Sequence, residues 1–223
     1  MTDNSEVRYK KESDIQVAGM VAFYIVTKGK HPFGEGRYRL GNLLDGKPVG
    51  LDTLKDPVLK DLLSWMLSHN PEDRPLAEEA LKHPYLQSTE QKFEMLCKMG
   101  NQQEIKAGDN NSDVVRELNN DLTDWKSRMR PDVLKYLCTD FMNGKPKTFF
   151  YKSSWTECLR LIRNVNQHWH DRPRQLPQPE AFYVVGDPQE YFLNLFPNLP
   201  VEVHRIVRSC DWKKRPDLKE YFV

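Results

Sequence analysis

The sequence predicts an all-α fold, and three observations support this prediction. Apolar residues recur at the three- and four-residue spacing of helices along most of the chain. Alternation of apolar and polar residues with a period of two, which is typical of strands, is almost absent, and no segment repeats another at a fixed interval. With 223 residues the chain is long enough to form one domain or two, each with a sizeable core.

Glycines, prolines and capping residues divide the first half into helices. The run DIQVAGMVAFYIVTKG is nearly continuously apolar. We therefore expect a helix that Ser13 caps, that Gly29 ends and that is buried on most of its sides. After a loop rich in Gly and Pro, the apolar spacing predicts helices at about 56–68, 75–82 and 88–100.

The second half continues in the same way. Ser112 and Asp113 are typical of a helix start. Residues 124–142 predict either one long helix or two helices that meet at Pro131. A basic loop, NGKPKTFFYKSS, then precedes a helix that contains LRLIRNVNQHWHDRP, and two further helices fit DPQEYFLNLF and PVEVHRIVRSC.

The composition excludes several classes of protein. No apolar run approaches the roughly 20 residues of a membrane span, and the N-terminal residues are too polar for a signal peptide, so we expect a cytoplasmic chain without a membrane partner. The cysteines form no CxxC pair and no zinc-ligand spacing, which predicts neither a disulfide framework nor a structural metal. They are Cys97, Cys138, Cys158 and Cys210.

Charge is distributed unevenly although the net charge is only +1. Residues 123–175 contain eleven Lys and Arg against five acids, whereas residues 101–124 are acidic. A basic segment of this kind indicates a polyanion-binding face, and the alternative is a solvated surface. Within the segment, the helix after the basic loop has an apolar stripe that includes Leu159 and Ile162, and an opposite face that includes Asn164 and His168.

Two motifs in the first half resemble the C-terminal lobe of protein kinases. SDIQVAGMVAFYIVTKGKHPFG resembles a helix of that lobe, and HNPEDRPLAEEALKHPYL resembles its closing segment, with Tyr85 at the aromatic position. The phosphate-covering glycine loop, the strand lysine, the His-Arg-Asp loop and the Asp-Phe-Gly metal site are all missing. We therefore expect a truncated kinase-like scaffold over residues 1–87, with no kinase activity and no bound nucleotide.

A further set of motifs lies in the second half of the chain. Tyr151 lies in KTFFYKSS, Arg163 and Asn164 in LIRN, and His168 in NQH, and FPNL follows at 196–199. This order resembles the kinase-extension nuclease (KEN) family of RNase L-like endoribonucleases, in which a tyrosine in a basic loop precedes a helix with Arg-Asn and, five residues after the arginine, a histidine. The resemblance implies a helical KEN ribonuclease domain over residues 88–223.

The resemblance also implies catalytic roles. RNA cleavage without a metal ion needs a base for the ribose 2′-OH, an acid for the leaving 5′ oxygen and a cation for the phosphate. Tyr151 would be the base, His168 the acid, Arg163 the phosphate stabiliser and Asn164 the positioning residue. Tyrosine, with a reference pKa near 10, is a poor base unless neighbouring Lys and Arg favour its phenolate. We expect 2′,3′-cyclic phosphate and 5′-hydroxyl products, and no cofactor.

Each role has an alternative. Tyr151 could be a packed loop aromatic, Arg163 an ion-pairing surface residue and His168 a residue favoured by the C-terminal helix dipole. His168 and His170 could indicate a metal, but no third ligand is visible. The predicted RNA-binding residues are Lys145, Lys147, Lys152 and His204, and His204 stands where the family often has a base-reading tyrosine.

Two functions therefore compete. The resemblance implies an endoribonuclease that acts on single-stranded or loop RNA as a symmetric homodimer. The alternative is a noncatalytic KEN-like module that pairs with a full-length relative and regulates it. Retention of all four catalytic residue types favours the enzyme, since a binding module has no chemical need for them.

Overall fold

The computed structural model describes residues 11–120, 124–142, 145–172 and 176–223. The chain divides into two compact units, residues 1–86 and 87–223. Within the described ranges the architecture is mostly α-helical, as the sequence predicts, with one small antiparallel hairpin. None of these helices combines the length and apolar character that crossing a bilayer requires.

From residue 11 onward, the first unit contains four α-helices and two short 3-10 turns. The α-helices are α1 (Lys11–Val26), α2 (Tyr38–Leu44), α3 (Pro57–Met66) and α4 (Ala77–Leu81). Phe23, Phe33 and Leu63 form the centre of a small core between α1 and α3. Arg74 of the kinase-like closing segment donates to the backbone carbonyls of Glu12, Ser68 and His69, so it holds the segment against the start of α1.

The expectation that α1 is buried on most sides is wrong. Only Gly19 and Phe23 of this helix are buried, while Val17, Val21 and Ile25 are exposed. Ser13 lies within the described part of this helix, which extends back to Lys11, so it does not cap the helix. α2 also occupies part of the stretch that the glycines and proline indicated as a loop.

The second unit contains eight helices in the described ranges and the hairpin. The helices are α5 (Thr89–Gly100), α6 (Gln103–Ala107), α7 (Asp113–Leu118), α8 (Pro131–Leu137), α9 (Trp155–His168), α10 (Glu180–Val185), α11 (Pro188–Leu195) and α12 (Leu199–Arg208). The strands are β1 (Thr139–Met142) and β2 (Lys145–Thr148), with Thr139 opposite Thr148 and Asp140 opposite Lys147. One continuous core joins these elements around α5 and α9.

The prediction of helix throughout 124–142 is wrong in two places. Trp125–Arg128 form a short 3-10 turn, and α8 begins with Pro131 in its first turn, where the missing N–H of proline costs nothing. After α8 the chain extends into β1 instead of continuing as helix. The basic loop that follows includes β2, whose four residues are all exposed.

The predicted apolar stripe of α9 is buried except at its start, where Trp155 is half-buried. Cys158, Leu159, Ile162 and Val165 have almost no exposed surface. Gly100, the last residue of α5, lies so close to α9 that a Cβ at this position would be 2.2 Å from the carbonyl oxygen of Leu159. A residue without a side chain is therefore required for the two helices to approach as they do.

Candidate active site

The candidate site is built on the polar face of α9. Asn164 and His168 lie one helical turn apart and so project from the same face. The start of α9 is fixed by a residue outside the helix, because Asn119 Oδ1 accepts from both the backbone N–H and the hydroxyl of Thr156, at 3.1 and 3.0 Å. An N-terminal helix N–H that has no partner within the helix is thus satisfied.

Tyr151 approaches this face from the loop before α9. The loop is held at its backbone: Trp125 Nε1 donates to the carbonyl of Lys152 at 3.2 Å, and Lys126 Nζ donates to the carbonyl of Tyr151. Glu157 accepts from the backbone N–H of Lys152 at 3.4 Å. The 3-10 turn and the first turn of α9 together determine where the tyrosine ring lies.

Tyr151, Asn164 and His168 meet at one pocket of about 220 Å³. The residues that line it are Leu137, Asp140, Phe149, Tyr151, Asn164, His168 and Arg172. Three of the four residues to which the sequence assigned catalytic roles therefore share a cavity. A larger pocket, of about 400 Å³, lies between Trp155, Phe196 and Arg205 and contains none of the four.

A chain of hydrogen bonds orients the Asn164 amide. Arg163 Nη1 donates to Asn164 Oδ1 at 2.7 Å, and Arg163 Nη2 donates to Asn101 Oδ1 at 3.0 Å. Since arginine can only donate, Asn164 presents its oxygen to Arg163 and its NH₂ group to Tyr151. Asn164 Nδ2 donates to the Tyr151 hydroxyl oxygen at 2.7 Å.

The Tyr151 phenol is buried, with 4% of its surface exposed. Burial raises its pKa above the ordinary value. The hydrogen bond from Asn164 and the positive charge of Arg160 act in the opposite direction and do not outweigh burial. The expected stabilisation of the phenolate by the lysines and Arg163 is therefore not the dominant effect on this group.

His168 lies at the C-terminal end of α9, with 43% of its side chain exposed. Its Nδ1 is 3.2 Å from Asp171 Oδ2 and 3.9 Å from Asp140 Oδ2. A carboxylate can only accept, so the imidazole donates through Nδ1. Neither carboxylate contacts Nε2, which is the nitrogen left for a bound molecule.

Arg163 does not line the pocket, because its guanidinium is directed to Asn101 and Asn164. A different cation, Arg172, does line it. Arg172 has 4% of its surface exposed and donates to the backbone carbonyls of Tyr136 and Leu137 at 2.8 and 3.2 Å. Sequence reasoning missed it, although it lies only four residues after His168.

The predicted RNA-binding residues separate into two groups. Lys145, Lys147 and Lys152 are exposed. His204 has no exposed surface and stacks on Phe222, with 5.1 Å between the ring centroids and 22° between their planes. The assignment of His204 to RNA contact is therefore corrected: its ring is part of the core beneath α12.

The described residues contain no group of three or more His, Cys, Asp and Glu side chains that could hold a metal ion. The four cysteine thiols are free, and burial raises the pKa of Cys97 to about 12, so it is not a nucleophile near neutral pH. The chemistry available at the pocket is thus that of a phenol, an imidazole, an amide, a buried guanidinium and the carboxylate of Asp140.

Comparison with known proteins places these residues in context. Residues 92–222 match the family model described as Ribonuclease 2-5A. The chain is 30% identical over 208 residues to the serine/threonine-protein kinase/endoribonuclease IRE2 of Homo sapiens, which covers 88% of this chain and 21% of that protein. It is 24% identical over 226 residues to the 2-5A-dependent ribonuclease of Mus musculus, covering 95% of this chain and 29% of that protein. The chain thus spans between a fifth and a third of the length of these relatives.

Proposed function

Because the chain belongs to the ribonuclease 2-5A family, we propose that it is an endoribonuclease that cleaves single-stranded or loop RNA. The observation that carries the proposal is the convergence of Tyr151, Asn164 and His168 on one pocket, with the Asn164 amide donating to the tyrosine hydroxyl at 2.7 Å. The pocket offers a base, an acid and a cation for a phosphodiester. DNA is not a substrate in this proposal, because it lacks the attacking 2′-OH.

The reaction uses Tyr151 and His168 as a pair. The Tyr151 phenolate removes the proton from the ribose 2′-OH, and the 2′ oxygen attacks phosphorus. The bond from phosphorus to the 5′ oxygen breaks, and protonated His168 gives its proton to that oxygen. The products are a 2′,3′-cyclic phosphate and a 5′-hydroxyl, and neither step requires a metal ion or cofactor.

The surrounding residues support this pair. Asn164 donates to the Tyr151 oxygen and so favours the phenolate against the effect of burial. Arg172, buried at the pocket wall, supplies positive charge for the phosphate. Arg163, for which the sequence suggested direct contact with the phosphate, acts instead as a positioning residue that fixes the Asn164 amide.

The arrangement of the protein is part of the proposal. Residues 1–87 act as a scaffold that resembles the C-terminal lobe of protein kinases, and residues 88–223 act as the nuclease domain. Two nuclease domains pair as a symmetric homodimer when RNA is cut. The lysines of the basic loop, Lys145, Lys147 and Lys152, contact the RNA backbone.

The test is cleavage of a fluorescent stem-loop RNA in EDTA over a wide range of protein concentration. His168→Ala should reduce the cleavage rate by roughly 10²-fold or more, as expected for a lost general acid. His170→Ala is the matched control, because this exposed histidine is two residues away and does not line the pocket. The rate should rise more steeply than linearly with protein concentration.

Other outcomes separate the alternatives. Equal rates for the parent chain and His168→Ala would contradict the assigned site. If no RNA is cut at any concentration, but the chain alters the activity of a catalytic relative mixed with it, the noncatalytic module replaces the enzyme. Cleavage that stops in EDTA and returns with a divalent cation would contradict the metal-independent chemistry.

A further inference from the structure

Phe150 is an exposed aromatic residue directly beside the candidate site. It has 85% of its surface exposed, whereas its neighbours Phe149 and Tyr151 both line the pocket. Neighbouring Cα atoms are about 3.8 Å apart. The backbone of Phe150 therefore lies beside the pocket in which the scissile phosphate would bind, while its ring does not line that pocket.

A lysine ties this ring to the backbone of the catalytic tyrosine. Lys126 Nζ lies 4.7 Å from the centroid of the Phe150 ring, within cation–π distance, and also donates to the carbonyl of Tyr151. Most of the phenyl surface nevertheless remains open, as its exposure shows. The ring is thus held close to Tyr151 without being covered.

The charges around the ring are mainly positive. Lys147 Nζ lies 5.1 Å from the neighbouring Phe149 ring, and Lys152 is exposed on the other side of Tyr151 in sequence. Acidic residues also lie nearby. Glu157 is paired with Arg160 at 2.5 Å, and Asp124 accepts from the Lys126 backbone N–H. Asp140 stands opposite Lys147 in the hairpin and lies 3.9 Å from His168 Nδ1. We call Phe150, Lys126, Lys147 and Lys152 the Phe150 platform.

We propose that the Phe150 platform holds an unpaired nucleobase of the RNA, stacked on the Phe150 ring, within one or two nucleotides of the scissile phosphate. Exposed aromatic rings among lysines are what single-stranded nucleic acid requires, because bases stack on the ring while the cations contact the phosphates. The inference rests on the proposed function and goes further by naming the part of the substrate that is recognised and the residue that recognises it.

The composition of the platform favours RNA over a protein partner. Protein interfaces enrich aromatic residues in their cores, but they are depleted of lysine there. Three of the four platform residues are lysines, and β2 adds the exposed Lys145. Stacking also has little preference for particular bases, since every base has a π-face. The platform therefore selects an unpaired nucleotide rather than a given sequence.

Binding is measured first, with a single-stranded RNA whose 2′-hydroxyls are all methylated so that it cannot be cleaved. Binding is measured by fluorescence anisotropy. Phe150→Leu should weaken the affinity for this RNA about tenfold, which is in the range found when a stacked base is lost. Phe150→Trp should bind as well as the parent or better, because the ring is retained. Tyr183→Leu is the control, since it removes another exposed aromatic residue of the second unit that lies outside the platform.

The stacked base is then located with RNAs that carry one abasic nucleotide at successive positions. At the position that stacks, the parent should lose affinity and the difference between the parent and Phe150→Leu should disappear. Equal binding of the methylated RNA by the parent and Phe150→Leu would overturn the proposal. A second result would also overturn it: Phe150→Leu changes the sedimentation of the RNA-free protein but leaves RNA binding unaltered. The exposed Phe150 ring would then be part of a protein–protein contact.

The proposed function fails in a different way. If the parent cleaves RNA and Phe150→Leu cleaves limiting RNA equally well, the platform is wrong and the nuclease assignment stands. If the methylated RNA binds with the predicted dependence on Phe150 but hydroxyl-bearing RNA is never cut, the platform stands and the nuclease assignment is wrong. Failure of the parent to bind RNA at all would overturn both.

Discussion

The Asn164 side chain connects Tyr151, the proposed catalytic base, to residues that do not line the pocket. Its amide could present either its oxygen or its nitrogen to Tyr151, and only the nitrogen can stabilise a phenolate. Arg163 fixes the orientation of this amide, because it donates a hydrogen bond to the amide oxygen at 2.7 Å. Arg163 also donates to Asn101 at 3.0 Å, which holds the guanidinium in place. Asn101 therefore influences the site through two intervening side chains.

This connection predicts that Asn101→Ala lowers kcat without raising KM. The exposed Asn101 side chain does not line the pocket, so substrate binding should persist. Release of Arg163 should let the Asn164 amide reorient, and we expect roughly a tenfold loss of kcat, about 1.4 kcal/mol at the transition state. Steady-state kinetics on a stem-loop RNA gives both constants.

Asn101→Asp is the matched variant, because its carboxylate also accepts from Arg163, and it should restore most of the kcat. A parallel loss of kcat and thermal stability in Asn101→Ala, without rescue by Asp, would instead indicate a general structural role. Asn101 also ends α5 through its backbone N–H, which neither substitution removes. The comparison thus isolates the side chain.

At this scale the sequence predicts some residues of the pocket and not others. Asn164 and His168 share a helix face by simple spacing, and resemblance adds Tyr151. Arg172 could not be placed, because it follows the helix and reaches the pocket by bonding carbonyls at the end of α8, a contact across some 35 residues. The burial of His204 did leave a signal: it lies three residues before Val207 on the buried face of α12.

At the level of elements, the hairpin and α1 show where pattern reading fails. β2 has the sequence Lys-Pro-Lys-Thr with every residue exposed, so no apolar alternation marks it as a strand. α1 has the opposite problem, since its apolar run predicted burial that its neighbours in the first unit do not provide. α5 and α9 were located well because apolar residues recur in both at helical spacing and the two helices pack on each other.

The close approach of α5 and α9 predicts that Gly100→Ala damages stability and activity together. The added methyl would lie 2.2 Å from the carbonyl oxygen and 2.7 Å from the carbonyl carbon of Leu159. Backbone atoms cannot rotate away, so α9 must shift. We expect a loss of about 1–3 kcal/mol in the free energy of unfolding of the second unit, the usual range for overpacking.

The same shift moves Asn164, so cleavage by the folded Gly100→Ala protein should also fall. Urea unfolding and RNA cleavage measured below the transition test both effects. Gly41→Ala is the control, because nothing lies within 4 Å of a Cβ at this helical position. It should be neutral or slightly stabilising. An unchanged free energy of unfolding in Gly100→Ala would show that α5 and α9 are far enough apart to accommodate a Cβ at residue 100.

Across the second unit as a whole, residues near the C-terminus are joined to the turn after α5. Arg215 donates to both oxygens of Glu104, at 2.5 and 3.0 Å, and to Gln102 at 2.7 Å. Gln102 in turn donates to Asp217 at 2.6 Å. α6, which begins beside Gln102, packs on α9, so this network supports the helix that carries the site.

The network predicts a stability contribution that disappears in acid. The hydrogen bond from Arg215 lowers the pKa of Glu104 below its ordinary value, against the opposing effect of burial. A carboxyl group with a lowered pKa in the folded state stabilises the fold above its unfolded pKa, near 4.3, and that stabilisation is lost as pH falls through the folded pKa. Glu104→Gln should therefore lower the stability of the second unit at pH 7. Near pH 3 the stability of this variant should approach that of the parent.

At pH 7 the free energy of unfolding of Glu104→Gln should be lower than that of the parent by about 1 kcal/mol. The bidentate geometry strengthens the ion pair, whereas solvent partly screens it because both side chains are 29% exposed. Thermal unfolding of the second unit, followed for both proteins from pH 7 to pH 3, measures it as a shift of a few degrees that closes in acid. Asp211→Asn removes the more exposed pair with Lys214 and should leave the midpoint at pH 7 unchanged. A gap between Glu104→Gln and the parent that stayed constant over this pH range would mean that Arg215 acts on Glu104 through packing rather than through charge. The contact between Arg215 and Glu104 would then stabilise the second unit equally well in acid.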